Sequence, residues 1–260
     1  MLPSPPPSSV NSPAAARLVL LEPRSRPLRS GSSKESDFIN YVEQKLLAIS
    51  RRYENRFSAT MSEEANPDVE GRGYKNIAEE IRDLDPVVDL VWISGTPSLQ
   101  IAFLLTIALT MMTSLSCFPF MPRPTFQLLQ KLDLMFASLL KGVSVETGEA
   151  LPGSETGRSK LSTTEKVRMR GIVERTRIAV VEAAGKDGSL ADVSTVAQSK
   201  MTDTEDDFNP TTEDENMDVL EDESSHRRWE MDIARVYERT IVELGMALDA
   251  AGPGNDGWAP

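Results

Sequence analysis

Residues 99–118 read LQIAFLLTIALTMMTSLSCF, a run without a single charged side chain. Its length matches the hydrocarbon thickness of a bilayer. It equally suits the centre of a helical domain, where a helix is covered on most sides. Nine of its residues are Leu, Ile or Phe, which together favour insertion by roughly 3–5 kcal/mol. Gln100, Thr106, Thr110, Thr113, Ser114 and Ser116 oppose it. The uncharged run ends at Asp89 and Arg123, with no cluster of Lys and Arg to orient a span, and no Trp or Tyr follows directly. We therefore read a buried core helix, with a single membrane span over 99–118 as the alternative. The threonine hydroxyls can bond back to carbonyls of the preceding turn, which makes them tolerable inside a protein.

The neighbouring segments need such a centre. Phe38, Val42, Leu46, Ile49 and Tyr53 recur at helical spacing, with Ser32 or Ser36 available as a cap. Tyr74, Ile77, Ile81, Leu84, Val88 and Val91 form a second face. Pro86 interrupts it, removing a backbone donor, so two short helices joined at Asp85-Pro86 are expected, the second ended by Gly95. Thr96-Pro97 reads as a cap followed by proline and opens the uncharged helix. After the proline-rich break PFMPRP, residues Phe126, Leu129, Leu132, Phe136 and Leu139 mark the next helix, stopped at Gly142. Ser162 and Glu165 form a capping box ahead of Met169, Val173, Thr176, Val180 and Ala184. Trp229, Ile233, Val236, Thr240, Leu244 and Ala247 mark one last helix. No strand with a period of two is found. The expected class is all-α, an irregular up-and-down bundle around the central apolar helix.

The ends and one internal stretch differ in composition. Residues 1–34 hold seven prolines, which predicts a disordered tail; its arginines and scarcity of acids raise a mitochondrial presequence, which the prolines oppose. Residues 35–250 form the expected bundle domain, carrying a flexible loop at 143–161 and an acidic disordered linker at 186–225, with a tail at 251–260. The stretch TDTEDDFNPTTEDENMDVLEDESS (202–225) has eleven acids and no Lys or Arg.

The chain's 260 residues carry a net charge of −12, which argues against direct nucleic-acid binding. One cysteine, Cys117, excludes an intrachain disulfide and fits an intracellular, reducing setting; on the apolar helix it reads as a small buried hydrophobe. One histidine, His226, gives no metal motif. Gly148 and Gly153, and then Gly157, approach the spacing of a phosphate-binding loop but lack its lysine and its strand. No catalytic residue, cofactor or metal site is expected. Charge placement is the best non-random feature: between Arg158 and Lys186 there are eight basic residues and three acids. Arg168, Arg170, Arg175 and Arg177 give their helix a basic side, and the acidic stretch follows it. These four arginines, with Trp229 and Tyr237 on the separable last helix, are the candidate interaction residues.

The runs DLVWISGTPSLQIAFLLTIAL, FMPRPTFQLLQKLDLMFASLLKGVSVETGEALPG and STTEKVRMRGIVERTRIAVVE resemble a family of small filamentous-fungal helical proteins, some labelled meiotic recombination protein. The resemblance covers about residues 36–182 and the last helix. It implies a chromosome-related, non-enzymatic role, and the chain lacks the phosphate-loop lysine of a strand-exchange ATPase. The expected function is a protein–protein interaction module, an adaptor or scaffold subunit, nuclear or cytoplasmic.

Overall fold

The computed structural model describes residues 20–56, 72–154, 161–186 and 229–249. Residues 1–19 of the tail expected over 1–34, the tail at 251–260 and the acidic stretch beyond Lys186 lie outside the described residues. So do Arg158 and His226. Within them the chain is helical: α1 (Ser33–Glu54), α2 (Ile77–Ile93), α3 (Pro97–Leu115), α4 (Pro122–Lys141), α5 (Thr163–Lys186) and α6 (Glu238–Asp249). A helical stretch over 229–234 precedes α6, and one isolated bridge joins Val143 to Ala150. The all-α reading holds.

Local signals set most of the helix ends. Ser32 caps α1, its Oγ accepting from the Glu35 N–H, and Asn76 does the same for α2 through Glu79. Ser162 and Glu165 form the expected reciprocal box: the Ser162 N–H donates to Glu165 Oε2 (2.7 Å), and the Glu165 N–H donates to Ser162 Oγ (3.3 Å). Gly142 closes α4 at φ 76°, a conformation that favours glycine.

Pro86 does not split its helix. Residues 77–93 run as one helix with Pro86 inside. Pro86 and Arg82 lie on the exposed strip of α2, so the Arg82 carbonyl that loses its partner faces water. The opposite strip, with Ile81, Leu84, Val88 and Val91 buried, keeps the helix in place. Tertiary burial outweighs the roughly 3 kcal/mol interior-proline penalty here because the lost bond is solvated.

α3 packs against α2, α4 and α5. Ile101, Leu104, Leu105, Ile107, Ala108 and Met111 are buried. Among the described residues it is the one helix long and apolar enough to cross a membrane, and half of that window is buried in the structure. Its polar residues divide by face. Gln100 is buried and donates from Nε2 to the Trp92 carbonyl (2.7 Å). Thr106 and Thr113 are exposed, and with Thr110 they donate to the carbonyls of Ala102, Leu109 and Thr106 at 2.9–3.1 Å. α4 is covered more completely still: Phe126, Leu129, Leu132, Met135, Phe136 and Leu139 are all buried. Each large side chain so buried contributes about 1.5–3 kcal/mol.

The ordered body begins before residue 35. Residues 20–31, expected in the tail, cross the α2–α3 junction as an extended strap. The Trp92 Nε1–H donates to the Leu21 carbonyl (2.8 Å), the Arg24 N–H to the Ile93 carbonyl (3.1 Å), and the Leu28 N–H to Thr96 Oγ1 (2.8 Å). Thr96 thus precedes α3 without capping it by its side chain; its hydroxyl serves the strap. At Gly95, φ is +59° and a Cβ would stand 2.7 Å from the Arg24 carbonyl oxygen, so the helix stop also makes room for the strap. The described part of the loop at 143–161 is likewise built: the Leu151 N–H donates to the Gly142 carbonyl (3.0 Å), and Leu151 and Ser154 are buried.

Candidate interaction surface

The last helix expected from sequence is broken. After 229–234 the chain turns, and Tyr237 takes φ 54°, a left-handed conformation that costs a bulky residue free energy. Two contacts hold it there. The Tyr237 ring lies 6.0 Å from the Phe136 ring and is buried. The turn also aims the first backbone donors of α6 at Asp133 of α4. The Thr240 N–H and Oγ1–H donate to Asp133 Oδ1 at 2.8 and 2.7 Å, and the Arg239 N–H reaches Oδ2 at 3.4 Å. A carboxylate from another helix thereby caps α6, satisfying donors that a helix start leaves open. Burial pushes the Asp133 pKa up, while the Thr240 bonds and the Arg239 charge oppose that shift.

These contacts reassign two of the candidate residues. Tyr237 is inside the protein. Trp229 is half-buried and stacks on Phe126 with ring centroids 5.8 Å apart. Both fasten the C-terminal segment to α4; burial closes Tyr237 to a partner, while Trp229 keeps one side exposed. Burial raises the Tyr237 phenol pKa, and the Asp133 charge adds to it; its hydroxyl has no hydrogen-bond partner. Tyr237→Phe is therefore expected to raise stability by about 1 kcal/mol, since it removes a buried unsatisfied donor and keeps the ring. Urea unfolding checks this, and a loss of stability would show that the hydroxyl is bonded.

The four arginines stay outside. Arg168, Arg170 and Arg175 are exposed and Arg177 is half-buried. At 100° per residue they form two pairs, Arg168 with Arg175 and Arg170 with Arg177. The pairs flank an apolar ridge instead of sharing one basic side. That ridge is Val167, Ile178 and Val181, exposed by 57, 59 and 47%. On the Arg170–Arg177 side it falls into a groove of about 370 Å³ between α5 and α6, lined by Val173, Ile178, Ile241, Leu244 and Leu248 with both arginines and Glu174. Beyond it, Val242 and Met246 of α6 are exposed by 55 and 54%. The Arg170 Nε–H donates to Glu174 Oε1 at 2.8 Å. The face is apolar at its centre with charge along its sides, the composition of a protein-docking surface.

Two buried groups escaped the sequence reading. Asp133 sits among apolar residues of α4 and has no local partner to announce it. Glu80, in the first turn of α2, is fully buried. Ser114 Oγ–H donates to its Oε1 at 2.8 Å, and Oε2 has no partner. Cys117, expected buried, is exposed, because α3 ends at Leu115 and the thiol lies in the following turn. Burial alone would raise its pKa, but the Tyr53 hydroxyl at 3.0 Å, Ser116 and Arg56 outweigh that and hold it below the usual thiol value. Among the described residues no group of three or more His, Cys, Asp or Glu side chains is placed to hold a metal.

A family model described as TFB6, subunit 11 of the general transcription factor TFIIH, matches residues 73–245, more than half of the chain. The match begins just before α2 and runs into α6, so it takes in the α5 wall of the groove and Ile241, Leu244 and Gly245 of the α6 wall. No curated protein and no solved structure matches.

Proposed function

The chain belongs to the TFB6 family, and on that premise we propose that it is a non-enzymatic subunit of a TFIIH-type transcription assembly, held there by protein–protein contacts in the nucleus. The observation that supports this most is the α5–α6 face. The bundle closes its core and still presents Val167, Ile178, Val181, Val242 and Met246 to solvent. A monomer gains nothing from such a face, whereas a subunit buries it on association. The three-sided packing of α3 supports a bundle over a membrane span. A chromosome-related setting fits the resemblance to the fungal family as well, while the meiotic association of that family adds nothing to the reading.

The test is recovery from native nuclei. The chain carrying a small tag is expected to co-purify with TFIIH subunits identified by mass spectrometry. Ile178→Glu, which puts a charge at the centre of the face, is expected to reduce that recovery by about tenfold or more, the effect of losing one central anchor. Recovery of the unaltered chain without TFIIH subunits would overturn the assignment. Full recovery of the variant would move the docking surface elsewhere.

A further inference from the structure

We propose that in the free chain the α5–α6 groove is occupied by the chain's own residues 202–225. This rests on the reading of the α5–α6 face as the docking surface and adds what covers that face before a partner arrives. The groove asks for a particular chemistry: large apolar side chains at the centre with negative charge along the α5 side. Ile178, Ile241 and Leu248 supply the apolar floor, and Arg177 stands along it with Arg170, whose Nε–H is paired with Glu174 and whose remaining guanidinium donors can still take an acid. Arg168 and Arg175 lie on the far side of the ridge. Residues 202–225 match this pattern. They carry eleven acids and no Lys or Arg, with Phe208, Met217, Val219 and Leu220 set among them.

Connectivity favours the same occupant. The described chain leaves α5, one wall of the groove, at Lys186, and it returns at Trp229 just before α6, the other wall. Residues 187–228 are thus tethered to both walls. Such a tether sets an effective concentration on the order of millimolar, so even a weak contact is populated. Exposed ion pairs contribute little each, so the apolar side chains supply affinity and the arginines set direction and register. A partner's acidic segment would then compete with the chain's own.

The probe is a fluorescent synthetic peptide of residues 202–225. It is titrated against the full chain and against a chain in which 202–225 is replaced by an equal length of Gly and Ser. The expected result is binding to the replaced chain and about hundredfold weaker binding to the full chain, where the tethered copy competes. Ile178→Glu in the replaced chain should abolish binding, and Arg177→Glu, which reverses a charge facing the acids, should weaken it several-fold. Helix content by circular dichroism identifies any variant that has unfolded, and Arg170→Glu then serves in its place. The proposal is overturned by no binding to the replaced chain, by equal binding to both chains, or by binding that the groove variants leave unchanged. A replaced chain that sediments as a dimer the peptide does not disperse assigns the groove to a second copy and also overturns it. Loss of TFIIH association with peptide binding intact removes the functional reading alone. Association retained with no peptide binding removes this proposal alone.

Discussion

Asp133→Ala is expected to cost about 3 kcal/mol in urea unfolding, and Asp133→Asn less than about 1 kcal/mol. The contrast follows from what each variant leaves behind. Thr240 is fully buried, and its N–H and Oγ1–H both donate to Asp133 Oδ1. Alanine removes the acceptor of the buried Thr240 N–H and of the Arg239 N–H, each worth about 1–3 kcal/mol when unsatisfied, and leaves the Thr240 hydroxyl only the backbone carbonyl of residue 133, at 3.2 Å. Asparagine keeps a carbonyl oxygen in the place of Oδ1. Its loss of charge removes the desolvation cost that pushes the Asp133 pKa up, and gives up only the long Arg239 contacts to Oδ2 at 3.4 and 3.5 Å. The alanine variant should also free the C-terminal segment. Tyr237 holds a left-handed backbone only while α6 is anchored, so amide exchange over 238–249 is expected to accelerate before that of α2 or α3. Equal costs for the two variants would show that the charge, and not the acceptor geometry, holds α6.

Residues with local causes were legible in the sequence, and residues with distant causes were not. The capping box at Ser162 and Glu165 and the stop at Gly142 depend on neighbours within a few positions, so spacing alone reveals them. The back-bonding of Thr106, Thr110 and Thr113 is of the same kind. The break at Tyr237 is not, because its cause is Asp133, more than a hundred positions away in the chain. Helical period carries through 229–247 without a flaw, and nothing local says that a carboxylate of α4 will take over the first turn. Pro86 misleads for a related reason. Spacing shows that a donor is missing but not that the orphaned carbonyl faces water. The arginines of α5 suggest one basic side by composition, whereas helical period divides them into two pairs, and only the packing of α6 shows that one pair borders a groove. Trp229 and Tyr237 were singled out as aromatic residues on a separable helix. The same size and apolar character that suit an interface suit a core, and Phe126 and Phe136 claim them first.

Glu80 carries the second large prediction, an inverted pH dependence. Burial raises its pKa from 4.5 to about 7; the Ser114 hydrogen bond and the Arg56 charge oppose this, and Asp83 adds to it. The unfolded chain releases this proton near 4.5, while the folded chain keeps it until about 7. The folded state therefore binds more protons across that window, and its stability falls as pH rises through it. Below 4.5 the contribution of Glu80 is fully present; above 7 it is lost. The gap corresponds to about 3 kcal/mol at most, each pKa unit being worth about 1.4 kcal/mol. Glu80→Gln replaces the carboxyl with a neutral group of the same shape that still offers an oxygen to Ser114. It should match the parent chain near pH 4.5 and exceed it by about 2 kcal/mol at pH 8, read by urea unfolding across the range. Parallel pH profiles for the two proteins would sink the idea. The position of the group gives the effect a structural consequence. Glu80 joins the first turn of α2 to Ser114 of α3, beside the end of α1, where Arg52 pairs with Asp83 and covers the Tyr74 ring at 4.2 Å. Ionisation near neutral pH therefore loosens the α1–α2–α3 joint. The α5–α6 face lies apart from it, anchored through Asp133, so a rise in pH should weaken the bundle without altering the groove. Peptide binding to the groove that tracks the ionisation of Glu80 would show that the two are coupled.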